Sequence, residues 1–245
     1  MKAGLVSVSF RSNTPFEIIG AAARSGLSAI EWGSDVHAHC GNSEKLKEIA
    51  LLQKNAGLEC SSYGTYFRIG VTPIGELPLY LTAAEILGTG VLRVWCGDKP
   101  SSEYGYDERM KIFEAARCAA ETAKAAGMTL CTEFHHHTFT DEALAVKELL
   151  EAVDLPSLKT YWQPNQYRTA EENLLTAQIL APFTENVHVF AWHRENRFPL
   201  SHDKAYWSKY FSELKAAHFA LLEFMPDDNI ESLATESEAL RELIR

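Results

Sequence analysis

The chain has 245 residues, 46% of them apolar and 11% aromatic, a globular composition that excludes a disordered or fibrous polypeptide. Asp and Glu number 33 against 23 Lys and Arg, a formal charge of −10 that opposes phosphate backbones and favours a small-molecule partner over nucleic acid. The longest unbroken apolar stretches, such as Phe219 to Leu222, fall far short of the roughly 18 residues that cross a bilayer, so no membrane partner is expected.

The first apolar run, Ala3 to Ser9, alternates like a strand and is broken by Ser7, Ser9 and Arg11, which reads as mature structure rather than a signal peptide. Pro15 follows Asn13 and Thr14 as a first-turn proline behind a cap. A second strand spans Ala29 to Trp32, and Ser43 precedes a helical run from Glu44 to Ala56. Strands at Leu58 to Tyr63 and Val91 to Trp95 follow, then a periodic helix from Asp107 to Ala126 and a strand from Thr129 to Glu133. Leu158 to Trp162 reads as the sixth strand, and Thr169 with Glu172 forms a capping box at the head of the next helix. Val187 to Ala191 and Phe219 to Phe224 complete eight strands, and Ile230 to Arg245 supplies a last helix.

Four of the helix-to-strand passages share a glycine, at Gly26, Gly57, Gly90 and Gly127, spaced 31, 33 and 37 residues apart. Each suits the left-handed position that closes a helix before a strand begins. A beat of about 30 residues is the length of one βα unit, and eight of them fill the chain. The fold class expected is therefore α/β, a single (β/α)8 TIM barrel over residues 1–245, with no linker or composition shift to divide it. A doubly wound open sheet competes, weakened by the lack of a GxGxxG after the first strand. The five cysteines (Cys40, Cys60, Cys96, Cys118 and Cys131) are odd in number and lack CxxC spacing, so a reducing, cytoplasmic setting is expected.

A barrel's active site lies where its strands end. Here those ends carry Glu31 and Trp32, Tyr63, Trp95, Glu133 with His135 to His137, Trp162 and Gln163, His188 with Trp192 and His193, and Glu223. Glu133, His188 and Glu223 sit among apolar neighbours, where an unpartnered carboxylate is costly, so two of them near one histidine suggest a cation between them. Oxygen and imidazole ligands suit one divalent ion, Mn²⁺, Mg²⁺, Co²⁺ or Zn²⁺. A salt-bridge network with Arg93 or Lys159, or a hydrogen-bonded core histidine, accounts for the same residues without an ion.

In their order and spacing, the segments LCTEFHHHTFT, YWQPNQ, NVHVFAWH and LLEFMPDD resemble the xylose isomerase-like TIM barrels, a family of sugar isomerases and epimerases that also includes the family 2 AP endonucleases. The resemblance implies a metal held by Glu133, Gln163, His188 and Glu223, with Gln163 standing where the family usually has aspartate. It also implies Glu133 and Glu223 as an acid–base pair on either face of the substrate. The expected function is a metal-dependent isomerase or epimerase of a sugar, or of a sugar-like polyol or keto acid. It works by removing a proton beside a carbonyl to form an enediolate, which is sound chemistry for a general base assisted by a Lewis acid.

Flat aromatic faces pack on the C–H face of a sugar, which assigns Trp32, Tyr66, Trp95, Trp162 and Trp192 to substrate binding. His135, His137, His193 and Arg194 are the polar groups for its hydroxyls. Within the HHH run, alternation along an extended segment puts His135 and His137 on one face. His37 and His39, after the second strand, are weaker candidates of the same kind.

Two other readings stay open. Gln163 motivates a non-catalytic sugar-binding barrel with a degenerate metal site. The endonuclease branch needs a D-x-x-H after strand six and a D-x-H after strand seven; those places read Gln163-Pro164-Asn165-Gln166 and Leu200-Ser201-His202. Dehydration uses the same enediolate and is open too. The helix faces show no apolar stripe beyond the core stripe, leaving both monomer and homodimer.

Overall fold

The computed structural model describes residues 1–245. Its strands are β1 (Lys2–Val6), β2 (Ala29–Gly33), β3 (Glu59–Ile69), β4 (Val91–Cys96), β5 (Thr129–Glu133), β6 (Leu158–Trp162), β7 (Thr184–Val189), β8 (Ala191–His193), β9 (Asn196–Phe198) and β10 (Phe219–Leu222). All but β8 and β9 are parallel and close into one eight-stranded barrel, with β10 pairing back to β1. β8 and β9 form an antiparallel hairpin that rises from the end of β7. The helices are α1 (Pro15–Arg24), α2 (Ser43–Asn55), α3 (Leu77–Leu87), α4 (Tyr106–Ala125), α5 (Ala143–Val153), α6 (Ala170–Leu180), α7 (Lys204–Glu213) and α8 (Leu233–Leu243). The expected TIM barrel is the fold, and no helix is long and apolar enough to cross a membrane.

Local chemistry sets the joints. Thr14 and Glu17 form a reciprocal capping box that starts α1, and Thr169 and Glu172 do the same for α6. Asn42 rather than Ser43 caps α2, its side-chain oxygen accepting the Lys45 N–H at 3.1 Å. At the end of α3 the left-handed residue is Gly88, with φ at 83°, and not Gly90, which lies two residues on at the edge of β4.

Strand parity divides the interior into two chemistries. Ile30, Leu92, Val94, Leu130, Trp162, Val187 and Val189 point outward into the large core beneath the helices. Val6, Cys131, Tyr161 and Leu221 point inward and form a small apolar plug inside the barrel. Above this plug the inward positions are occupied by charged groups, which is why they cluster instead of scattering.

Two departures from the expected strands shape the mouth. β1 stops at Val6 because residues 7–10 turn into a 3-10 helix, with the Ser7 hydroxyl accepting the Gly33 N–H at 2.9 Å. β3 runs on to Ile69, and its pairing with β4 shifts register between Gly64 and Arg68, which carries Tyr66 over the opening. Gly64 permits this passage. A Cβ there would lie 2.8 Å from both Arg93 Nη2 and Glu31 Oε1, so only hydrogen fits beside that ion pair.

Candidate active site

The inward carboxylates Glu31, Glu133 and Glu223 surround His188, and all four side chains are buried. His188 Nδ1 lies 3.0 Å from Gln163 Oε1, 3.3 Å from Glu223 Oε2 and 3.6 Å from Glu133 Oε1. The opposite ring nitrogen, Nε2, lies 3.4 Å from Glu31 Oε2, which also accepts the Ser62 hydroxyl at 2.8 Å. Arg93, buried on β4, spans two of the acids: its Nε donates to Glu31 Oε1 at 2.8 Å and its Nη1 donates to Glu133 Oε2. The Trp95 indole N–H shares that same Glu133 oxygen at 2.6 Å.

Charge explains the protonation pattern. Burial opposes ionisation of Glu31, but Arg93 and then His188 outweigh it and hold the carboxyl at about 2. Burial also pushes Glu133 up, and Arg93 with His188 brings it well below the usual carboxylate range. Burial alone would neutralise His188, yet Glu223 and Glu31 raise it well above its ordinary value. Three carboxylates and one guanidinium sum to a charge of −2 when His188 is neutral, which is the charge one divalent cation cancels. The donors facing Nδ1, two carboxylate oxygens and an amide oxygen, are hard ligands of the kind Mn²⁺ and Mg²⁺ take, so Glu133, Gln163, His188 and Glu223 fit a divalent ion.

A cavity of about 220 Å³ opens above these groups. Glu133, Gln163 and Glu223 form its floor, and Tyr66, Trp95, His135, His136, Phe190, Trp192 and Phe224 are among its walls, with Arg11 at the rim beside Asp35. Arg68 lies over the Trp95 ring at 4.4 Å, His135 stacks on Trp95 at 5.1 Å, and His136 stacks on His135 at 4.2 Å. The volume is below the roughly 300–1,000 Å³ of clefts that take drug-sized ligands, so a small metabolite fits.

Of the nine residues assigned to substrate from the sequence, the structure brings Tyr66, Trp95, His135 and Trp192 to the cavity. Trp32 and Trp162 belong to the core. Each follows an inward residue on its strand and therefore points out, Trp32 donating to Gln53 at 2.8 Å and Trp162 to Thr176 at 3.1 Å. His137 is exposed with φ at 57°, because the chain turns after His135 instead of staying extended; His136 takes the place beside His135. His193 turns away to Asp203 at 2.7 Å, and Arg194 occupies the exposed tip of the hairpin with φ at 54°. His37 is held within the β1 and β2 loops, 3.2 Å from the Ser7 hydroxyl.

Sequence reasoning did not assign Glu31, Ser62, Arg93, Arg11 or His136 to the site. Glu31 and Arg93 carried a signal, a charge in mid-strand among buried apolar residues, in AIEWG and VLRVWC. The Arg93 network anticipated as an alternative to an ion exists and shares residues with the candidate metal ligands; Lys159 instead pairs with Glu185 at 2.5 Å near the start of β7.

A family model described as a xylose isomerase-like TIM barrel matches residues 19–243. A 3-dehydroshikimate dehydratase of Bacillus anthracis is 24% identical over 270 aligned positions, covering 98% of this chain and 96% of that protein. The crystal structure of the probable 3-DHS dehydratase AsbF of Bacillus anthracis, involved in petrobactin synthesis, superposes with a TM-score of 0.82 at 22% identity, covering 98% of this chain and 99% of that one. A D-allulose 3-epimerase from Methylomonas sp. superposes with a TM-score of 0.78 at 14% identity, covering 100% and 97%. The likeness to these two structures is one of fold.

Proposed function

The chain belongs to the xylose isomerase-like TIM barrel family, and on that premise we propose that its barrel mouth removes a proton from the carbon beside the carbonyl of a small polyhydroxylated substrate. The observation that carries this reading is the convergence of Gln163, Glu223 and Glu133 oxygens on one nitrogen of His188, within 3.0 to 3.6 Å, at the floor of a cavity. Glu133, Gln163, His188 and Glu223 would hold a divalent ion, whose chemistry when bound is that of a Lewis acid for the charge developing on the substrate oxygen.

The two glutamates are not equivalent. Glu133 has one oxygen capped by both Arg93 and Trp95 and is held strongly ionised, which makes it a weak base and a fixed anion. Glu223 lines the cavity and has His188 as its one ion-pair partner, with no direct bond from Arg93, so it is the group we assign to take the proton. Tyr66, Trp95 and Trp192 offer ring faces to the substrate's C–H surface, while Gln166, His135 and His136 meet its hydroxyls. The chain's charge of −10 and the small cavity favour a metabolite over DNA.

Return of the proton gives isomerisation or epimerisation; loss of a hydroxyl one carbon further gives dehydration. The second outcome is favoured by the dehydratase relative that covers nearly the whole chain, and by the His135 imidazole in the cavity wall, a candidate donor to a departing hydroxyl. The deciding experiment loads the protein with Mn²⁺, counts ions per chain, and offers ketoses and 3-dehydroshikimate in D₂O. Deuterium entering at the α-carbon, or a product lighter by one water, is the expected result. A sugar that binds without either change would make this a binding barrel and end the proposal.

Glu31 has a distinct part. By accepting from Nε2 of His188 it leaves Nδ1 as the nitrogen facing Gln163 and Glu223, the carboxylate–histidine arrangement that orients a metal-binding imidazole. Glu31→Gln is expected to weaken Mn²⁺ binding by about 10- to 100-fold, read by equilibrium titration with the fold checked by circular dichroism. Unchanged affinity would remove Glu31 from that role.

A further inference from the structure

We propose that the β8–β9 hairpin carries a second cation site, built from His193, His202 and Asp203 and distinct from the barrel mouth. His193 ends β8, His202 lies in the 3-10 turn after β9, and Asp203 immediately precedes α7. His193 Nε2 lies 2.7 Å from Asp203 Oδ2, and His202 Nδ1 lies 2.9 Å from Asp203 Oδ1, with the three ligand atoms within 4.8 Å of one another. Two imidazoles and one carboxylate on two adjoining segments, the end of β8 and the 3-10 turn before α7, make an open three-ligand set of the kind Zn²⁺ takes, with a fourth position left to water.

Two further features support a built site. Asp203 is buried, and its two carboxylate oxygens pair with these two imidazoles, while the nearby Arg168 and Lys204 pair instead with Glu142 and Glu242. The Phe198 ring positions both histidines, stacking on His202 at 4.5 Å and packing against His193 at 5.7 Å. Each imidazole lies at hydrogen-bond distance from the carboxylate, and an ion bound there would take the place of those two contacts. None of the three residues lines the mouth cavity, and His193 and Asp203 instead face a separate small cleft beside Tyr206 and Trp207.

The site would fasten the hairpin to the head of α7. Trp192, next to His193, walls the mouth and is itself covered by Arg197 at 4.7 Å, so an ion on His193 fixes one side of the substrate cavity from outside it.

The test is equilibrium dialysis of the full chain against low-micromolar Zn²⁺, with wild type compared to His202→Asn and to His193→Ala/His202→Ala. The expected result is one zinc fewer per chain in the double variant than in wild type, whatever number the mouth contributes, with circular dichroism unchanged. Long-range ¹H–¹⁵N spectra of the wild-type imidazoles should show His193 and His202 shifting as zinc is added. Equal stoichiometry in wild type and double variant, or a zinc titration that leaves both resonances in place, would overturn the site. Because the readout is a difference at the hairpin, it stands apart from the fate of the mouth chemistry.

Discussion

Glu223→Gln is expected to lower kcat by about 10²- to 10⁴-fold, the usual contribution of a positioned general base, while Tm and circular dichroism stay close to wild type. The substitution keeps the shape of the side chain and an oxygen that can still face His188 Nδ1, which Glu223 Oε2 now approaches at 3.3 Å. What it removes is the capacity to accept a proton at the cavity floor. No guanidinium or indole holds Glu223, in contrast to Glu133, so little of the surrounding network has to rearrange. Assayed at saturating Mn²⁺, the loss should fall in kcat with KM nearly unchanged, and deuterium exchange at the α-carbon should fall with it. If Glu223→Gln turns over normally and Glu133→Gln does not, the proton belongs to Glu133 and the assignment made here is reversed.

The parts of this site that were legible in the sequence are those carried by local pattern. β5 and β6 fall where the apolar runs predict them, because each run is short, continuous and bounded by turn chemistry, as at Gly127 with φ at 70°. Glu133, Gln163, His188 and Glu223 share a recognisable place, the end of or a late position on a barrel strand. What escaped depends on parity and on distant neighbours. Trp32 and Trp162 sit one residue after an inward side chain, so a strand-end position alone cannot place them. The run NVHVFAWH looks like one strand but is two, with β7 ending at Val189 and β8 starting at Ala191, and that break sends His193 and Arg194 away from the mouth. Glu31 meets His188 across 157 positions of sequence, a contact that exists only because the barrel closes.

Arg93→Met is expected to produce the largest loss of stability, about 3–5 kcal/mol, equivalent to roughly 10 °C or more in Tm for a domain of this size. Methionine matches much of the guanidinium's length but none of its hydrogen bonds, so Glu31 and Glu133 would stay buried with no cation bridging them. The sign of the pH dependence follows from Glu31. Its folded value of about 2 lies below the ordinary 4.5, so the Arg93 pairing stabilises the fold above that ordinary value and is lost as pH falls from about 4.5 towards 2. Without Arg93 the two acids gain by becoming protonated, and the deficit of the variant relative to wild type should therefore be greatest near pH 7 and shrink on acidification. Adding Glu31→Gln to Arg93→Met removes one of the stranded charges and should recover part of the loss, a coupling that separates charge from packing. Thermal melts of wild type and the two variants at pH 7, pH 4.5 and pH 3 measure all of this. A Tm for Arg93→Met that matches wild type at pH 7 would mean that the acids at the barrel mouth do not depend on the guanidinium for their burial.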